Sequence, residues 1–156
     1  MTNLIETEHF LKPLFGLLDE TFENHHGYFL NTNTSLFQTL AAISAQQASI
    51  PVGGKCASLA AQVAHIAFYL EVLERAVFYN DNSPADWDEI WRTVEQVSPS
   101  EWDALRDNLK KTYARINERF HSNETWNEDA ISGAMAIVVH TAYHLGEIRQ
   151  ALCVLT

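Results

Sequence analysis

Basic residues are scarce in this chain: ten lysines and arginines stand against twenty aspartates and glutamates in 156 residues, a formal net charge of −10. Such a field repels phosphate backbones, so no nucleic-acid partner is expected. Cysteine is scarcer still. Cys56 and Cys153 are the only two, far apart and without a C-x-x-C spacing. They read as reduced thiols in small hydrophobic core positions, not as a disulfide framework. No stretch of about 18 apolar residues lacks a histidine, arginine or glutamate, so no membrane span or membrane partner is expected. The segment Met1 to His9 carries acidic residues before any apolar run and lacks the basic region of a signal peptide, which makes the cytoplasm the expected location.

Familiar enzyme motifs are missing as well. Thr141 follows His140 where an H-E-x-x-H peptidase carries its general-base glutamate. Gly53-Gly54-Lys55-Cys56 lacks the earlier glycine and the Ser/Thr of a phosphate loop, and reads as a turn. There is no G-x-S-x-G elbow and no G-x-G-x-x-G fingerprint, so neither an α/β-hydrolase nor a dinucleotide enzyme is expected.

What is present is apolar and helical. Hydrophobic residues make up 47% of the chain and charged residues 19%, enough for one domain over residues 1–156 with a sizeable core. Leu4, Phe10 or Leu11, Leu14, Leu18 and Phe22 mark a first helix. His25-His26-Gly27 is expected to close it, with the histidines at the negative end of the macrodipole and Gly27 in the left-handed position after the last turn. Pro13 either kinks this helix or marks its first turn. The polar loop Asn31 to Ser35 can cap a short helix over Leu36 to Ala45, and Ile50-Pro51-Val52-Gly53-Gly54 breaks the chain. From Ala57 or Ser58 to Tyr79, the series Leu59, Val63, Ile66, Leu70, Leu73 and Val77 predicts about six helical turns.

After the Asn80 to Pro84 turn, Trp87, Ile90, Trp91 and Val94 predict a shorter amphipathic element, a lid or connection with its aromatics in the core. Ser98-Pro99-Ser100-Glu101 is a capping box with proline at the first helical position, followed by Trp102, Leu105, Leu109, Tyr113, Ile116 and Phe120. A last helix starts near Glu128 or Asp129. With no alternating β pattern, repeat or linker, the fold class is all-α, a helical bundle with short additional helices. Seven carboxylates against Arg92 between Asp81 and Asp103 precede a basic stripe of Arg106, Lys110, Lys111, Arg115 and Arg119, which reads as a solvated face pairing with that acidic segment.

The chemistry-bearing pattern is His140-Thr-Ala-Tyr-His144 in an apolar helical segment, with His65 inside an equally apolar one upstream. Four residues of helix leave two side chains about 40° apart on one face and about 6 Å apart along the axis, so two imidazoles can bind one ion. A third from a facing helix completes a three-nitrogen site with an open position, the arrangement of a catalytic metal. The alternative is three neutral core imidazoles, each bonded to a carbonyl or side chain. Beside His65, Gln62, Phe68 and Tyr69 lie three or four residues away, as neighbours of the site or as plain core.

The chain resembles the DinB/YfiT-like superfamily of bacterial metal-binding four-helix-bundle proteins. The likeness rests on Ala57 to Leu70 around His65, on Asp86-Trp87-Asp-Glu-Ile-Trp91, and on His140-Thr-Ala-Tyr-His144-Leu-Gly146-Glu-Ile-Arg-Gln150. It implies His65, His140 and His144 as a histidine triad ligating zinc, nickel or a similar divalent ion. The family often has glutamine where this chain has Glu147, an acidic group one turn beyond His144.

The resemblance also implies a metal-dependent enzyme acting with a low-molecular-weight thiol as an S-transferase, the partners being a small-molecule thiol or electrophile. A hydrolase, with Glu147 as proton acceptor, is a second reading. A non-catalytic, stress-associated metal-binding or structural protein, its site closed by Glu147, is a third. Homodimerisation through a helix face is expected from the same resemblance.

Overall fold

Serine residues cap the starts of several helices of this protein, with proline following at one of them. In the computed structural model, which describes residues 5–54 and 56–155, the elements are all helical: α1 (Thr7–Phe22), α2 (Leu36–Ala41), α3 (Ala45–Ala48), α4 (Leu59–Tyr79), α5 (Glu89–Thr93), α6 (Pro99–His121) and α7 (Glu128–Leu155), with a 3₁₀ turn at Val52–Gly54. Ser58 accepts a hydrogen bond from the Ala61 amide to start α4. At the head of α6 the Ser98 hydroxyl accepts from the Glu101 amide while the Glu101 carboxylate accepts from the Ser98 amide, the reciprocal box expected there. Asn80 ends α4 in the left-handed conformation, φ 53°. Leu4 and Lys55 lie outside the described residues.

The four long helices share one core. α4 packs against both α6 and α7, and α1 packs on α7. Stacked Phe22 and Tyr113, with centroids 4.0 Å apart, join α1 to α6. α4 is the central element, since Leu59 through Ala67 are all buried, and a helix apolar all round belongs inside. The Trp102 indole N–H donates to the Ile43 carbonyl at 2.8 Å, tying α6 to the α2–α3 corner. No single helix among the described residues is long and apolar enough to cross a membrane.

Several expectations are corrected. α1 ends at Phe22, so His25 and His26 lie beyond its last turn; Gly27 has φ 86° but belongs to the following loop. That loop is organised instead by the buried carboxylate of Glu20, which accepts the amides of His26, Tyr28, Phe29 and Leu30 at 2.6–2.9 Å. Pro13 lies mid-helix, where its missing N–H leaves the His9 carbonyl without its usual partner. The segment 36–45 is not one helix: Ala42 to Ser44 break it, because the Ser44 side chain caps α3 with Gln47.

Both cysteines are free and exposed, not core. Cys56 follows the 3₁₀ turn in a loop, and Cys153 faces outward on α7 with its thiol donating to the Arg149 carbonyl at 3.7 Å. The basic stripe pairs mainly across to α4. Arg115 binds the buried Glu74 at 2.6 Å and Arg119 binds it at 3.3 Å, and only Arg106 meets the acidic segment, at Asp103.

Candidate metal centre

The apolar faces that make α4 and α7 pack together also bring three histidines into one cluster. His65, in the wholly buried first half of α4, meets His140 and His144 from the middle of α7, and one ligand nitrogen from each lies within 4.8 Å of the others. His65 and His144 are buried and His140 half-buried. The Nε2 atoms of His65 and His140 stand 3.2 Å apart. Two nitrogens at 2.0–2.1 Å from a tetrahedral ion are separated by about 3.3–3.4 Å, so the spacing fits a shared metal. This three-histidine group can hold a metal ion.

The electrostatics suit a cation. Burial, followed by the neighbouring His144 and His65 imidazoles, brings the pKa of His140 from 6.5 to about 3. His65 is lowered by burial and then by His144, against an upward pull from Glu147. His144 is lowered by burial, opposed by Glu147. All three are therefore neutral at pH 7, with lone pairs to donate. The unfolded chain takes up protons near pH 6.5 that the folded cluster refuses, so the metal-free protein should lose stability as the pH falls below about 6.5. Urea midpoints measured at about pH 7.5 and 5.5 should show that drop, and His140→Ala should flatten it.

Each imidazole is held by a different neighbour. Glu147 accepts the His144 Nδ1 proton at 2.9 Å, which turns the other ring nitrogen toward the cluster. Glu147 thus stands behind His144 and is not a member of the three-residue group that could hold an ion. Tyr69 stacks on His140 with centroids 3.5 Å apart and planes 6° from parallel. Trp91 covers His65 at 4.5 Å, and Trp87 packs on Phe68 and Tyr69.

The two tryptophans correct a further expectation. At 42% and 37% exposure they are not core; they form a lid on α4. Their four-residue spacing is visible in sequence, but nothing local shows that Trp91 reaches a histidine 26 positions away. Trp91 also lines a cavity of about 600 Å³ with Ser49, Pro51, Cys56, Ser58 and Ala61. The indole is therefore a wall shared by the cavity and His65. If the cluster takes up an ion, added Co²⁺ should quench part of the tryptophan emission, and Trp91→Phe should remove most of that quench.

No family model, curated protein or solved structure matches the chain.

Proposed function

We propose that this chain is a member of the DinB/YfiT-like four-helix-bundle superfamily, that His65, His140 and His144 hold a divalent ion, zinc or nickel, and that it carries out thiol-dependent S-transfer. The observation that carries the reading is the cluster itself: three neutral imidazoles with one nitrogen from each within 4.8 Å of the others, and no fourth side chain in the group among the described residues. A divalent ion bound there would lower the pKa of a small thiol at the open position and hold its thiolate for attack on an electrophile. The chain's own residues supply the rest. Glu147 fixes the tautomer and direction of His144, Tyr69 and Trp91 restrain the other two rings, and the lid limits water.

The cavity beyond Trp91 has the volume for a small ligand. Hydrolysis is less well supported, because Glu147 is committed to His144 and is a poor proton acceptor for water. A structural site closed by Glu147 is disfavoured for the same reason. The homodimer implied by this family reading has a matching surface in Met135, Val139 and Tyr143, an exposed row on α7 spaced four residues apart.

Elemental analysis of untagged protein purified without chelator, with His65→Ala in parallel, tests the proposal. Near-stoichiometric zinc or nickel, lost in the variant, is the expected result. Wild-type protein that neither carries metal nor takes it up when added would overturn it. In the cobalt-substituted protein, a thiol titration should then change the visible spectrum if the fourth position is open, and leave it unchanged if the site is closed.

A further inference from the structure

Metal loading has a cost that His65 and His140 do not share with His144. Without an ion between them, the His65 and His140 Nε2 atoms at 3.2 Å can share one hydrogen bond, one ring donating to the other. An ion that takes both Nε2 lone pairs forces both neutral rings to carry their proton on Nδ1. His144 already has Glu147 for that proton. The Nδ1 atoms of His65 and His140 are buried and without a partner among the described residues, so in the loaded state both rings present an Nδ1–H that needs an acceptor, one of them already present in whichever ring accepted the hydrogen bond.

One unpartnered acceptor lies on the same face of the same helix as His65. Gln62 is buried, with 8% exposure, and its Oε1 has no hydrogen-bond partner. It precedes His65 by three residues, the spacing at which helical side chains are neighbours, and the His65 side chain leans back over the turn that carries it. The other buried orphan oxygen nearby, Thr141 Oγ1, follows His140 directly and so points about 100° away from it.

We propose that Gln62 is the positioning residue of His65: in the metal-loaded protein its Oε1 accepts the His65 Nδ1 proton, fixing the tautomer that presents Nε2 to the ion. This inference rests on reading the cluster as a metal site. It accounts for two buried, unpartnered polar atoms with a single hydrogen bond that forms on loading.

The test compares wild type, Gln62→Met and Gln62→Glu, with zinc as the probe and a chromophoric chelator as competitor. Gln62→Met keeps the shape and removes the acceptor; zinc affinity should fall about tenfold or more, and Gln62→Glu should restore it. Nitrogen-15 spectra of the zinc-loaded wild type should show a slowly exchanging His65 Nδ1 proton that disappears in Gln62→Met and returns in Gln62→Glu. Equal zinc affinity and an unchanged His65 signal in Gln62→Met would overturn the assignment while leaving the metal site standing. A wild type that binds no zinc overturns both.

Discussion

Replacing His140 with alanine should abolish zinc uptake at the three-histidine group and the thermal protection that a bound ion would confer. Zinc bound by protein ligands yields roughly 10–16 kcal/mol for a four-ligand site, or about 2.5–4 kcal/mol per ligand. Losing one of three should therefore weaken binding roughly 10²–10³-fold. At zinc a hundredfold above the native Kd, mass action adds about 2.7 kcal/mol to the folded state. For a domain of this size that is roughly 5–10 °C in Tm. Differential scanning calorimetry with and without zinc should show the rise in the wild type and none in His140→Ala. An equal rise in both would place the ion elsewhere. Because His140 is stacked on Tyr69, a Tyr69→Leu variant made alongside removes the stacked ring but keeps all three imidazoles, and so separates loss of packing from loss of the ligand.

The second large effect is expected far from the histidines, at Glu20. Its two carboxylate oxygens accept four loop amides, Oε2 those of His26 and Tyr28 and Oε1 those of Phe29 and Leu30. The Glu20 side chain is fully buried although the loop it holds is partly exposed, so Glu20→Ala leaves four N–H groups without their acceptor and should cost roughly 2–4 kcal/mol. Glu20→Gln should also destabilise, since its amide nitrogen would face two donors. Burial alone would raise the pKa of Glu20, but the four amides together outweigh it and bring it from 4.5 to about 2.

A carboxyl group whose pKa is depressed by folding contributes stability that is full above the unfolded value and lost as the pH falls through the folded one. The difference between wild type and Glu20→Gln in urea denaturation should therefore be constant above about pH 4.5 and shrink toward pH 2. The exposed Glu118→Gln serves as a control and should change little at any pH. A Glu20→Gln protein as stable as the wild type would mean that the loop does not depend on this carboxylate.

Much of the fold is legible because helices are written locally. The capping box at Ser98, the turn at Asn80 and the six-turn series from Leu59 to Val77 depend on residues within a few positions of each other, and α4 begins and ends, and α6 begins, where those signals stand. The His140 and His144 pair is local in the same way. What joins His65 to it is the packing of α4 on α7 across 75 positions, which periodicity makes possible but does not specify. Glu20 gives no signal, since a carboxylate in an amphipathic helix looks like any solvated one until a loop folds over it. Trp91 departs from expectation for a related reason. Aromatic residues at helical spacing imply burial, yet α5 has only five residues and lies on the outside of α4, so its indole covers a site without entering the core.

The way the segment between α4 and α6 is held has an evolutionary consequence. It is fixed at its start by the left-handed turn at Asn80 and at its end by Ser49, whose hydroxyl accepts the Val97 amide at 3.0 Å. Between those anchors it leans on α4 mainly through Trp87 and Trp91. Apart from these tryptophans and from Val94 and Val97, which pack against the core, its residues are thus only loosely coupled to the long helices. Drift in this one stretch can reshape the surface over His65 and the neighbouring cavity while the scaffold stays the same, so a lineage can diversify there without passing through unfolded ancestors.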